Sequence, residues 1–275
     1  MSSLLYQQPI AILAALVAVV FVGVYWLGCV ALRPFFRVLV RSYGGDNEIV
    51  GSVLAAFGVL YGLLMSLIAV AAYQNVNDVE SQAVSEASAL LALYRAVGEY
   101  PMPLREDLEG QLVDYCTTII VDEWPLLRQG MHPRGSHLQL ELIFQDLMAL
   151  EHSSRRDELI QERAIRHFEA MADQGRRRRY ASVSAIPLPM WYVVIVGTII
   201  NYGLMWSFDM RFVTQLFLGG MLAFFLGALI LLIAVLERPY RSLQFGVPPD
   251  AFVLAREIMV QDGNAPPAEL IRGGR

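Results

Sequence analysis

Lysine is missing altogether: the 21 basic side chains of this 275-residue chain are all arginine. That excludes a lysine Schiff base, a P-loop lysine and any other chemistry requiring a side-chain primary amine. Cysteine is almost missing. Cys29 and Cys116 give no disulfide framework, so two reduced structural thiols are expected. Histidine is sparse, and His132, His137, His152 and His167 show neither Glu-x-x-His nor His-x-x-x-His spacing. No metal site is therefore expected. A glycine-rich phosphate loop, a Ser/His/Asp or Cys/His motif and a dinucleotide fingerprint are likewise missing. An enzyme is the least supported class, and no cofactor is expected. Charge is also scarce, at 17% of residues against 56% hydrophobic, outside the usual soluble range.

The apolar residues are clustered. Four uncharged windows run from Ser2 to Leu32, Ile49 to Asn77, Tyr180 to Phe208 and Phe212 to Leu236. A helix crosses the hydrocarbon layer with about 20 apolar residues. The chain therefore reads as an all-α integral membrane protein with four spans, at about 9–32, 49–73, 186–207 and 212–236. The first window lacks a basic n-region and a clear cleavage site, so it is expected to be a mature span, with Pro9 in its first turn. Tyr43 to Asn47 reads as a turn, making spans one and two antiparallel neighbours.

Span two has no proline at its end, and helix formers continue to about Val97. It should leave the membrane still helical. Along it Gly51, Ala55, Gly58, Gly62, Ser66 and Ala69 recur at steps of three and four, followed by Tyr73. Lipid offers no hydrophobic drive for helices to associate, so small residues that let backbones approach mark interfaces. These residues are candidates for an oligomer interface or a pore lining; ordinary intrachain packing is the competing reading. Leu63, Leu64, Leu67 and Ile68 are candidates for a hydrophobic constriction that gates by dewetting, against simple lipid contact. Asp78 and Glu80 are candidates for an acidic collar that concentrates cations, against a solvated turn. No ionisable side chain lies deep in any span, which argues against a self-contained ion-coupled carrier. Asn201, with Thr198, is the main polar feature of span three and suits an interhelical hydrogen bond or a lining role.

Residues 78–180 form the one large polar region, helical throughout, and residues 238–275 a tail with one short helix from about Pro249 to Val260. Within the polar region Tyr100 to Pro103 breaks the long helix. The next carries Leu104, Leu108, Leu112, Tyr115, Ile119 and Trp124 at helical spacing, with a possible kink at Pro125. Gly130 to Gly135 reads as a loop, and Ser136 as an N-cap for a helix through Leu150. Ser154 and Asp157 form a capping-box pattern before a helix with Ile160, Ala164, Phe168 and Met171 along one side. Arg176, Arg177, Arg178 and Arg179 close the region beside span three, where anionic lipid headgroups are the expected partner and nucleic acid is not. Span four repeats a small-residue stripe, Gly219, Ala223 and Gly227, and residues from Asn264 to Arg275 read as disordered. Arginine near span ends counts six (Arg176 to Arg179, Arg238, Arg241) against four (Arg33, Arg37, Arg41, Arg211), placing the polar region and both termini in the cytoplasm.

Two stretches carry a resemblance. GSVLAAFGVLYGLLMSLIAVAAYQNVNDVESQAVSEASALLALYRAV from Gly51, continuing as YPMPLREDLEGQLVDY, resembles the bestrophin-like family of bacterial membrane proteins. So does ERPYRSLQFGVPPDAFVLAREIM after span four. The resemblance implies the bacterial inner membrane and kinship to bestrophins, which are pentameric ion channels whose second span lines the pore. The calcium clasp of animal bestrophins is not matched, since Glu237 stands nearly alone after span four. The favoured reading is a homo-oligomeric passive channel for small inorganic ions, embedded in the lipid bilayer, with span two around the pore. The alternatives are a ring-forming subunit of a stator or other energy-transducing complex, and a non-conducting membrane sensor or scaffold.

Overall fold

The computed structural model describes residues 10–32, 35, 47–131, 136–151, 154–181, 186–208, 210–240 and 246–263. Expectations at Pro9, Arg33, Arg37, Arg41, Tyr43, His132, His152, Arg241 and the segment from Asn264 onward lie outside these residues. Regular structure among the described residues is helical. In chain order α1 is Ile10–Ala31, α2 Asn47–Val97, α3 Leu104–Thr118, α4 Trp124–Gln129, α5 Ser136–Met148, α6 Arg155–Ala181, α7 Leu188–Ser207, α8 Phe212–Leu236 and α9 Asp250–Gly263. A π-helical turn, Ile119–Glu123, lies between α3 and α4. Four helices, α1, α2, α7 and α8, are long and apolar enough to span a bilayer. The chain forms two compact units: residues 1–76 with 185–246, and residues 77–184 with 247–275. The C-terminal helix, expected as part of a separate tail, thus belongs with the polar helices.

In the membrane-spanning unit, close approach decides the packing. A Cβ on Gly219 of α8 would fall 1.9 Å from the Tyr25 ring of α1, so only glycine admits that ring. The Tyr25 hydroxyl then donates to the Gln215 carbonyl at 3.3 Å. Gln215 is itself buried and donates through Nε2 to the Met205 and Trp206 carbonyls at 3.0 and 3.3 Å. Those are carbonyls of the last turn of α7, which have no intrahelical partner. The small-residue stripe of span four, Gly219, Ala223 and Gly227, is buried within the unit. Helix α7 starts afresh, with Pro187 extended at its N-cap and Pro189 in the first turn.

Helix α2 meets this core along a narrow stripe. Tyr61, Met65, Ile68 and Ala72 are buried at steps of four, three and four. The Tyr61 ring lies on Gly197, where a Cβ would come within 2.1 Å. Its hydroxyl donates to the Val194 carbonyl at 2.8 Å and lies 2.9 Å from Thr198 Oγ1. Thr198 therefore makes the interhelical bond expected of span three. Asn201 does not: its Nδ2 donates to Gly197 of its own helix at 3.0 Å.

In the helical unit α2 continues its buried stripe through Val79, Ala83, Glu86, Leu90, Leu93 and Val97. The capping box at Ser154 is reciprocal: its N–H donates to Asp157 Oδ2 at 2.8 Å, and the Asp157 N–H donates to Ser154 Oγ at 3.3 Å. Gly130 ends α4 in the left-handed region at φ 76°. The irregularity expected at Pro125 comes earlier, as the π turn, and Pro125 sits harmlessly in the first turn of α4. Helix α9 docks by side-chain bonds to its carbonyls and to those just before it. Tyr94 donates to Met259 at 2.9 Å, Cys116 to Phe252 at 3.2 Å and Trp124 to Val247 at 3.0 Å.

Two predictions follow from this packing. Gly197→Ala should lower the thermal midpoint of the detergent-solubilised protein, by an overpacking cost of about 1–3 kcal/mol. Gly58→Ala should carry no such overpacking cost in the separated chain, because among the described residues nothing stands within 4 Å of its Cβ. The second concerns alkali. Burial pushes the Cys116 thiol up to about 12 and the Tyr100 phenol up to about 12. The folded chain keeps protons that the unfolded chain releases, so stability is present below about pH 9 and is lost as pH rises toward 12. A fluorescence melt at stepped pH reads this directly, and maleimide at pH 8 should label Cys116 only after denaturation.

Candidate functional site

The buried stripe of α2 fixes which of its faces remain open. With Tyr61, Met65 and Ile68 turned inward, Ala55, Gly62, Ser66 and Tyr73 are exposed, and Gly51, Gly58 and Ala69 are half-buried. A Cβ on Gly58 or Gly62 would meet open space, whereas one on Gly51 would touch the Phe208 ring at 3.7 Å. The small residues of span two thus line one flank of the helix; Gly51 and Ala69 touch the unit's own side chains, while Gly58 and Gly62 meet nothing among the described residues. That separates them from the equivalent stripe of span four, which α1 occupies.

The four constriction candidates do not stay together. Leu63 and Leu67 are each 61% exposed, Leu64 is half-buried, and Ile68 is 5% exposed in the core of the unit. Ile68 is therefore a packing residue, three positions from Met65 on the inward face, and drops out as a lining candidate. At about 100° per residue, Leu63 and Leu67 lie roughly a third of a turn around the helix from the small residues. The leucine pair and the small-residue flank are distinct surfaces, both open. Farther along, Asp78 and Glu80 are exposed. Two positions apart on a helix they point to nearly opposite sides, so they do not share one acidic face.

The arginine run divides as well. Arg176 and Arg177 are exposed and reach Asp173 one turn back, at 3.4 and 2.8 Å. Through the hydrogen bond from Arg177 first, this pairing holds the Asp173 carboxyl below its ordinary value. Arg179 Nη1 reaches the Ser136 hydroxyl at 3.4 Å. Arg178 is no headgroup ligand: it is fully buried. Its Nε donates to Glu86 Oε2 at 2.6 Å and its Nη2 to Glu123 Oε2 at 2.8 Å. The guanidinium lies 5.3 Å from the Trp124 ring centroid and 5.5 Å from that of Phe252. Tyr115 donates to Glu86 Oε1 at 2.9 Å. Burial, and next the charge of Glu86, hold that phenol well above its ordinary value, so it stays a donor.

Sequence reasoning passed over Glu86 and Glu123, although a signal was available. Glu86 falls in line with Ala83 and Leu90, Glu123 with Ile119 and Leu127, and Arg178 with Met171 and Gly175, each on an otherwise apolar stripe. A charge at a core position is either a misfit or paired. Among the described residues no group of three His, Cys, Asp or Glu side chains could hold a metal ion.

Residues 13–252 match the Bestrophin-like domain, which is most of the chain. No curated protein matches the sequence. Among solved structures, a mutant of a bacterial bestrophin homologue from Klebsiella pneumoniae superposes with a TM-score of 0.62 at 12% identity, over 89% of this chain and 99% of that one. Two crystal structures of membrane protein variants superpose with TM-scores of 0.59 and 0.60, each at 12% identity and over 87% of this chain, covering 98% and 99% of theirs. These likenesses show the overall fold. With the domain match over residues 13–252, the chain belongs to the bestrophin-like family.

Proposed function

We propose that the protein is a homo-oligomeric passive channel for small inorganic ions, with α2 of each copy arranged about a common axis. The observation that carries this reading is the contrast between the two small-residue stripes. The stripe on α8 is filled by α1, while Gly58 and Gly62 on α2 face open space. In lipid an apolar surface gains little by being hidden, so a flank of small residues is useful chiefly where a second backbone comes close. Membership of the bestrophin-like family points the same way.

In a ring of helices, the face toward the axis and the faces toward neighbours are different sides of each helix. The small-residue flank then serves the neighbour contact, and Leu63 and Leu67, about a third of a turn away, face the axis as a dewetting constriction. Asp78 and Glu80, facing different ways, contribute separately to the potential at the mouth. The polar helical unit and both termini lie in the cytoplasm of a bacterium, with Arg176 and Arg177 available to lipid headgroups.

Purified protein reconstituted in liposomes should pass ions without any partner protein. Leu67→Ser should raise that flux, because a hydroxyl at a hydrophobic constriction favours wetting. Gly62→Leu should leave the melting of the separated chain unchanged while weakening assembly tenfold or more, as expected for losing about 1.4 kcal/mol of contact. Native mass measurement in detergent reads the assembly as a multiple of 30.7 kDa. A channel-free outcome, with no flux from assembled protein and no response at Leu67, would leave the stator and scaffold readings.

A further inference from the structure

The buried arginine centre of the helical unit has unequal partners. Two carboxyl groups, Glu86 and Glu123, face one guanidinium, and all three side chains are at most 1% exposed. Glu86 is built in: Arg178 and Tyr115 engage both its oxygens. A Cβ at position 175 would stand 2.9 Å from its Oε1, so Gly175 leaves room for it. Glu123 is held by one oxygen only. Its Oε1 is buried and has no hydrogen-bond partner among the described residues. An unpaired buried carboxylate oxygen is costly, so of the two seats the one on Glu123 is the weaker.

Two further observations concern the backbone that delivers Glu123. It is the last residue of the π turn, and such turns are rare one-residue irregularities that cluster at functional positions. The residue after it, Trp124, both stacks on Arg178 and donates to the Val247 carbonyl just before α9. Phe252 of α9 lies against the same guanidinium. The π turn, α4 and α9 therefore meet Arg178 as one layer, through Glu123, Trp124 and Phe252. Glu86 meets it from α2, the helix that also forms the second span.

We propose that Arg178 is a two-seat latch: a permanent seat on Glu86 of α2, and a releasable seat on Glu123 that fastens the layer of the π turn, α4 and α9. Relaxing the π turn to α geometry rotates Glu123 away from Arg178. The Arg178–Glu86 pair remains charge-balanced and bonded to Tyr115, so the rest of the unit keeps its core while the C-terminal layer loosens. The device makes α9 a conformationally distinct part of the unit. Arg178 is here a positioning residue, acting on α9 through its ring contacts.

Hydrogen-exchange mass spectrometry on the full-length protein in detergent tests this, with wild type, Glu123→Gln, Glu86→Gln and Arg178→Lys. Glu123→Gln should keep its melting temperature within a few degrees and speed exchange about tenfold in residues 119–129 and 250–263 alone, the size of one weakened charge-assisted bond. Arg178→Lys should give the same local pattern, since an ammonium lacks the fork that holds two carboxylates at once. Glu86→Gln should speed exchange throughout the unit, including 79–97. If Glu86→Gln does not fold, Glu123→Gln and Arg178→Lys against wild type still decide. Unit-wide loosening in Glu123→Gln, or no change in 119–129 and 250–263, would overturn the two-seat arrangement.

Discussion

A helix in lipid cannot lower its free energy by hiding apolar side chains, since the bilayer is as apolar as they are. Packing among the spans is governed instead by where backbones approach and where polar groups find partners. Both are visible here. The Tyr25 ring seats on Gly219 and the Tyr61 ring on Gly197, and each hydroxyl then reaches a backbone carbonyl, of Gln215 and Val194. The first joins α1 to α8; the second uses one stripe of α2 and leaves Gly58 and Gly62 of its small-residue flank open among the described residues. The functional reading rests on that remainder.

Beyond the apolar stretch, in the helical unit, the physics is reversed. The aliphatic stripes of α2, α3 and α6 build a core, and at its centre a charge has been kept out of water. Burying Arg178 is tolerable because two carboxylates and two aromatic faces replace its hydration. Removing one partner of such a centre costs more than never having built it, because it leaves an uncompensated buried charge. It gathers residues far apart in sequence, Glu86, Glu123, Arg178 and Phe252, on four separate segments of the chain.

How much of this was legible in the sequence differs by length scale. The four spans, the uninterrupted α2, the capping box at Ser154 and both small-residue stripes were readable, because each depends on spacing within one helix. Which stripe was already filled was not, since Gly219 and Gly62 look alike until α1 is placed. Ile68 looked like its neighbours Leu64 and Leu67, and only the position of Tyr61 and Met65 turns it inward. Arg178 was hidden in a run of four arginines that suggested headgroups, although its register with Met171 and Gly175 marked a core position. The docking of α9 leaves no local trace: its bonds run from Tyr94, Cys116 and Trp124 to backbone carbonyls, which no residue pattern in α9 announces.

The account stands on copies of α2 facing one another across the flank left open by Tyr61, Met65 and Ile68. A cysteine cross-linking scan of residues 55–73, with Val19 and Leu27 of α1 as comparison sites, in native membranes measures this, because Cys29 and Cys116 are both buried and give a quiet background. The account predicts inter-subunit cross-links that recur every three to four positions on α2 and are strong at Gly62 and Ser66, with none from Val19 or Leu27 on the lipid-facing side of α1. Absence of cross-links along α2, or cross-links confined to α1, would contradict it.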